Sequence, residues 1–184
     1  MLRVQNHGDA RAFALLMRRW GGPIRRLCTR MTGDAHRGED LAQEAFARVF
    51  AKSDSFEHRA RFSTFLWRIA LNLCVDEQRK ILRRPETAVQ IEGDGQDAVT
   101  ATPASPTAGP AARAVKQERA EAVRAALTEL PEHYRSVVVL RHYEGLKFRE
   151  IAQVLDIPEG TVKSRMAEAL TRLARLLRPF GEGG

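Results

Sequence analysis

Cysteine occurs only twice in the 184 residues, at Cys28 and Cys74. The two lie far apart in apolar helical patterns, which excludes a disulfide-stapled scaffold and a cysteine-rich metal site. They read as small buried hydrophobes in a reducing compartment. No stretch approaches the run of about 18 apolar residues that a membrane span needs, so no membrane insertion is expected. Met1-Leu2-Arg3-Val4-Gln5-Asn6-His7 also lacks an apolar segment of signal-peptide length, and a cytoplasmic location is expected. Strand-like alternation is missing, so the expected fold class is all-α. The carboxylates do not converge on an evident metal pair, and no activated Ser or Tyr signature appears. That argues against a recombinase or nuclease; no catalytic residue, cofactor or metal is assigned.

Positive charge is abundant but unevenly spread. The formal net charge is +7 with an isoelectric point near 10.1, a balance that favours a polyanionic partner. Residues 1–85 hold 17 Lys and Arg against 9 Asp and Glu, residues 86–112 hold none against 4, and residues 113–184 hold 13 against 10. The middle stretch, ETAVQIEGDGQDAVTATPASPTAGPAA, carries Pro103, Pro106, Pro110 and three glycines, with no aromatic residue. It cannot build a packed core, and as a flexible coil it would span roughly 30 Å. The expected organisation is two small helical domains, 1–85 and 113–184, joined by a flexible acidic linker at 86–112.

The most compact pattern is REIAQVLDIPEGTVKSRM, Arg149 to Met166. Ile151, Val154 and Leu155 share one helical face, and Asp156-Ile157-Pro158 breaks the helix. Pro158 suits the start of a second helix, along which Val162, Met166, Ala169 and Leu173 recur at helical spacing. Opposite that stripe stand Gly160, Thr161, Ser164 and Ala167, flanked by Lys163 and Arg165. Small and basic side chains on one face fit a DNA major groove, as in a helix-turn-helix, although any two packed helices show similar spacing.

In the first half, Asp9 reads as the N-cap of a helix carrying Phe13, Leu16, Met17 and Trp20. Gly21-Gly22-Pro23 should interrupt it before Ile24, Leu27, Cys28 and Met31 resume. GEDLAQEAFARVF should bury Leu41, Ala42, Ala45, Phe46, Val49 and Phe50 while turning Asp40, Gln43, Glu44 and Ala47 outward. The next helix has Phe65, Leu66, Ile69, Ala70, Leu73 and Cys74 on its core side, with Arg68, Asn72, Asp76, Arg79 and Arg83 opposite. Arg59, Arg61 and Phe62 precede it, and Trp67 falls on the flank. Basic groups interleaved with aromatics suit unpaired bases, since a ring stacks while a cation neutralises phosphate; core filling is the competing explanation for Phe62 and Trp67, and the favoured one for Phe65. In the second half, Ala120, Val123, Leu127 and Leu130 form a stripe ending at Pro131. PEHYRSVVVLRHYEG follows and closes at Gly145 as a left-handed cap.

GEDLAQEAFARVF, FLWRIALNLCVDEQRK, LPEHYRSVVVLRHYEGLKFREIA and IPEGTVKSRM, in this order around an acidic linker, resemble the extracytoplasmic-function (ECF) sigma factors of bacterial RNA polymerase. The resemblance spans nearly the whole chain. It implies a transcription initiation factor, not an enzyme, whose partners are core RNA polymerase, promoter DNA and an anti-sigma protein. By that resemblance, Asp40, Leu41, Gln43 and Glu44 bind the polymerase clamp. Arg59, Arg61, Phe62, Trp67, Arg68, Asn72 and Arg79 read and help melt the −10 element, and Thr161, Lys163, Ser164 and Arg165 read the −35 element.

The chain departs from the family pattern at four positions. Lys147 stands where Ser or Thr usually completes a capping box with the residue matching Glu150, and an ammonium cannot accept from a backbone amide. Asp156 replaces a frequent turn glycine, which Asp tolerates. Phe65 and Trp67 replace the usual tryptophan and tyrosine, so the aromatic contact to melted DNA is expected to be rearranged. The alternative reading is a stand-alone helix-turn-helix regulator that needs no polymerase and binds a palindromic site as a dimer.

Overall fold

The computed structural model describes residues 9–53, 61–83 and 109–178. Every regular element in them is helical: α1 (Ala10–Thr32), α2 (Ala35–Ala51), α3 (Phe62–Arg83), α4 (Pro110–Glu129), α5 (Glu132–Val138), α6 (Phe148–Leu155) and α7 (Glu159–Leu177). Beyond α5 the chain widens into a π turn over Val139–Tyr143. Most of the 86–112 linker, with Arg59, lies outside the described residues. Its last residues, from Pro110, already belong to α4, where the fixed φ of proline suits a first turn.

Local signals set the helix ends. Asp9 accepts from the Ala12 amide at 3.0 Å and Asp34 from the Arg37 amide at 3.0 Å, each satisfying an otherwise orphaned donor. Gly33 closes α1 with φ 80°. Gly145 follows the π turn with φ 68°, and Asp156 closes α6 with φ 57°. Against expectation, α1 runs unbroken through Pro23. Gly22 has no Cβ to meet the proline ring, and burial of Ile24, Leu27, Cys28 and Met31 outweighs the hydrogen bond lost at residue 23.

In the first half, α1, α2 and α3 pack with Leu27, Ala45, Val49, Leu66, Ala70 and Cys74 fully buried. Gly38 lets α1 and α2 approach closely: a Cβ there would meet the Thr29 backbone nitrogen at 2.7 Å. Gly38→Val is therefore expected to lower stability by about 1–3 kcal/mol despite valine being a better helix former than glycine. Thermal denaturation followed by circular dichroism measures this; an unchanged midpoint would mean that the helices do not depend on the close approach. Phe50, expected in the core, is 47% exposed. It stands near the end of α2 with its ring on Phe13, centroids 5.1 Å apart.

The halves do not stand apart. One continuous core contains Met31, Leu66 and Cys74 from the first and Val137, Leu140, Ile151, Val154 and Val162 from the second. Arg135, only 6% exposed, sits between them. Its guanidinium donates to the Thr128 and Leu130 carbonyls at the end of α4 and to the Met31 carbonyl at the end of α1. Last-turn carbonyls lack partners within their own helix, so one buried cation satisfies two helix ends and favours both dipoles. Arg30 pairs with Glu144 at 3.4 Å and lies 4.2 Å from the Tyr143 ring centroid. Burial pushes the Glu144 carboxyl upward, with Arg30 and Arg26 pulling against it.

Candidate polymerase and nucleic-acid interface

Three surfaces carry the residues singled out above. On α2, Asp40, Gln43 and Glu44 are exposed, and Leu41 is buried beneath them. The stripe arises because Leu41, Ala42, Ala45 and Val49 commit the opposite side of the helix to the core. Glu44 pairs with Arg48 one turn on, at 2.7 Å. Beside the stripe a groove of about 410 Å³ runs between α2 and α3, with Leu41 and Leu73 among its apolar lining and Glu44, Asp76, Arg79 and Lys80 among its charged lining. An apolar floor with rims of both charges suits a partner helix.

On α3, Arg68, Asn72 and Arg79 are exposed along one face, Arg61 is exposed just before it, and Phe62 is half-buried at its start. Trp67 corrects the expectation. It is 4% exposed, and its ring meets that of Trp20 edge to face at 6.0 Å. At the flank of the stripe, a large ring turns inward wherever a neighbouring helix offers an apolar wall, and Trp20 of α1 offers one. Trp67 thus presents no face to a base in this arrangement.

The second half touches that basic face while leaving it exposed. Arg61 pairs with Glu150 at 3.0 Å and Arg79 with Glu132 at 3.2 Å. Arg68 donates to the carbonyls of Gln153 at 2.6 Å and Val154 at 3.2 Å, in the last turn of α6.

On α7, Lys163 and Ser164 are exposed, and Thr161 and Arg165 are half-buried. Val162 and Ala169, fully buried, fix the rotation of the helix so that this face points away from the core. Ser164 donates its hydroxyl to the Thr161 carbonyl at 3.0 Å, and Lys163 pairs with Glu159 at 2.8 Å. A Cβ at Gly160 would meet no heavy atom within 4 Å, leaving the start of the helix open to close approach. The start of α6 is capped by half a box: the Lys147 amide donates to Glu150 Oε2 at 2.9 Å, while the ammonium returns nothing.

Sequence reasoning missed His133 and the interdomain set of Arg30, Arg135 and Glu144. Burial, then the charges of Arg165 and Arg172, push the His133 imidazole down, with Glu132 opposing. The signal available for Arg135 was a lone cation inside the apolar run YRSVVVL. Among the described residues no group of His, Cys, Asp and Glu could hold a metal ion, and no helix is long and apolar enough to cross a membrane.

A three-helix unit with an acidic and a basic face, followed by a helix-turn-helix with an outward basic helix, defines a DNA-reading protein that also offers a protein-docking surface. Two family models match the chain: that for Sigma-70 region 2 over residues 16–84, and that for Sigma-70 region 4 over residues 120–173. The chain is 37% identical over 173 residues to the ECF RNA polymerase sigma factor SigW of Bacillus subtilis, covering 93% of this chain and 91% of that protein. It is 34% identical over 186 residues to the RNA polymerase sigma-H factor of Pseudomonas aeruginosa, with 97% and 92% covered. The chain belongs to the ECF sigma factors. Its fold is similar to that of the sigma factor RpoE in complex with the anti-sigma factor NepR from Bartonella quintana (TM-score 0.68, 24% identity, 92% and 98% covered). It is also similar to CnrH in complex with the cytosolic domain of CnrY (TM-score 0.67, 24% identity, 94% and 91% covered). The protein is thus a transcription initiation factor that confers promoter specificity on RNA polymerase, not an enzyme and not a stand-alone regulator.

Proposed function

We propose that the three surfaces divide the work of initiation. The domain occupying residues 1–85 docks on the polymerase clamp through Asp40, Gln43 and Glu44, with Leu41 supporting the helix from below. It reads and holds open the −10 element with Arg59, Arg61, Phe62, Arg68, Asn72 and Arg79, while Trp67 anchors α3 from inside. Residues 86–112 tether it to the domain at 113–184, whose Thr161, Lys163, Ser164 and Arg165 enter the major groove at the −35 element. The observation that carries this reading is the segregation of charge: an exposed acidic stripe on α2, an exposed basic face on α3, and a small, basic face on α7. An acidic surface repels DNA and so suits a protein partner, whereas the other two suit phosphates and bases. We further infer that the chain works in the cytoplasm and that an anti-sigma protein is among its partners, as the sigma factor RpoE of similar fold is in complex with the anti-sigma factor NepR.

The −35 assignment separates two kinds of contact. Lys163→Ala should weaken holoenzyme binding on every sequence and reduce the salt slope by roughly one, the signature of a lost phosphate contact. Ser164→Ala should instead cost about 1–3 kcal/mol on the cognate element and little elsewhere, the signature of a lost base contact. Salt-dependent binding titrations on cognate and scrambled upstream elements measure both. Wild-type behaviour of both variants would remove α7 from the promoter interface.

A further inference from the structure

We propose that the outer face of α1 is a further nucleic-acid contact, in which Arg11, Arg18 and Arg25 grip the phosphate backbone of promoter DNA where it continues past the stretch held by α3. This rests on the assignment of α3 to the −10 element made above.

Between Ala10 and Thr32 stand Arg11, Arg18, Arg19, Arg25, Arg26 and Arg30, with neither aspartate nor glutamate among them. Arg30 pairs with Glu144. Arg11, Arg18 and Arg25 are exposed and have no ion-pair partner among the described residues. Seven residues apart, they fall on one line along the helix, which runs for roughly 20 Å, about six base steps of a duplex. Ala14 and Gly21 stand between them on the same line. A Cβ at Gly21 would meet no heavy atom within 4 Å, so packing gives no reason for a residue that weakens a helix interior. Small residues between the arginines leave the surface open to a backbone that approaches closely.

The row does not serve the helix. With no carboxylate three or four residues away within α1, these arginines make no intrahelical pair, and Arg11 sits in the first turn, where the dipole disfavours a cation. Burial of Ile24, Leu27, Cys28 and Met31 holds α1 in place instead. Solubility is met by surface charges of mixed sign. A row of one sign is what a polyanion requires. DNA is the occupant because the row adjoins the face that reads DNA: the Arg19 guanidinium lies 5.7 Å from the Trp20 ring centroid, Trp20 meets Trp67 of α3 at 6.0 Å, and exposed Arg68 follows Trp67. A strand leaving α3 across this junction comes onto α1.

The test uses the full chain in complex with core RNA polymerase. Arg11→Gln, Arg18→Gln and Arg25→Gln are combined, because glutamine removes the charge and remains a good helix former. Promoter binding is titrated from about 50 to 200 mM salt. Each phosphate contact contributes about 0.9 to the logarithmic salt slope on duplex DNA and about 0.7 on a single strand, so the triple variant should lower the slope by about two to three. The advantage of the wild type should then shrink by roughly 20- to 40-fold across that range. Capture by core enzyme and the thermal melt should keep their wild-type values. The matching lysine triple, which returns the charge, should return the slope. An unchanged slope in the glutamine triple would overturn the proposal, as would a lysine triple that behaves like it. Loss of core capture by the folded glutamine triple would also overturn it, and would assign the row to an acidic surface of the polymerase. If the triple does not fold, monitored by circular dichroism, Arg18→Gln alone replaces it, with an expected fall in slope of about one under the same criteria. Failure of the −10 assignment is read separately: Arg68→Ala should impair promoter opening as read by permanganate reactivity, and wild-type opening there would remove that reading whatever the salt slope of the α1 variants.

Discussion

Reversing Asp40 and Glu44 to lysine is expected to abolish capture by core RNA polymerase while leaving the fold intact. Both side chains are exposed on a helix whose other side is committed to the core, and exposed substitutions usually shift stability by no more than about 0.5 kcal/mol. Replacing Glu44 by lysine also sets a like charge one turn from Arg48, a cost of a few tenths of a kcal/mol. At an interface with basic groups on the clamp the balance differs. Attraction becomes repulsion, and juxtaposed like charges cost several kcal/mol, which lowers affinity by orders of magnitude. Pull-down with core enzyme, beside a thermal melt of the double variant, measures both. Wild-type capture by a folded variant would move the docking surface off α2.

Trp67→Ala is expected to act on stability before it acts on DNA. Truncating a buried aromatic removes its burial and leaves a cavity, a loss of about 3–5 kcal/mol. The edge-to-face contact with Trp20 adds to the loss. In a chain of this size each kcal/mol lowers the melting midpoint by about 2–4 °C, so a fall on the order of 10 °C is expected. Trp67→Phe, which keeps a ring against Trp20, should recover most of it. Asn72→Ala, at an exposed position on the same helix, should leave the melt unchanged and impair strand opening as read by permanganate reactivity. A Trp67→Ala protein with wild-type stability and a selective opening defect would return the tryptophan to the DNA surface.

The contrast between those two residues shows what was legible in the sequence. Helical periodicity placed Asn72 outward and Leu73 inward because neighbours three and four residues away agreed. Trp67 stood at the edge of the stripe, where periodicity gives no sign and the decision belongs to Trp20, two helices earlier in the chain. Phe50 failed in the opposite direction: the stripe continued, but the core wall ended before it. Pro23 was a sound local signal that tertiary burial overrode. Asp9, Gly145 and Asp156 behaved as local chemistry dictates, because a cap or a left-handed residue is decided within one turn. The contact between the halves was illegible for a further reason. It is made of scattered polar groups, Arg30, Arg135 and Glu144, whose partners lie in distant elements. No period in either half announces them. A buried arginine in an apolar run was the one hint, and it names neither its partner nor its role.

The central claim, that one chain docks on polymerase and reads a promoter through separate faces, meets its most direct measurement in run-off transcription. Core RNA polymerase, a library of template promoters and the purified chain are combined, and transcript start sites are sequenced. The account predicts transcripts from a defined promoter set only when the chain is present, lost with the Asp40 and Glu44 reversal and shifted in selectivity with Ser164→Ala. Transcripts independent of the chain, or start sites unchanged by both variants, would contradict it.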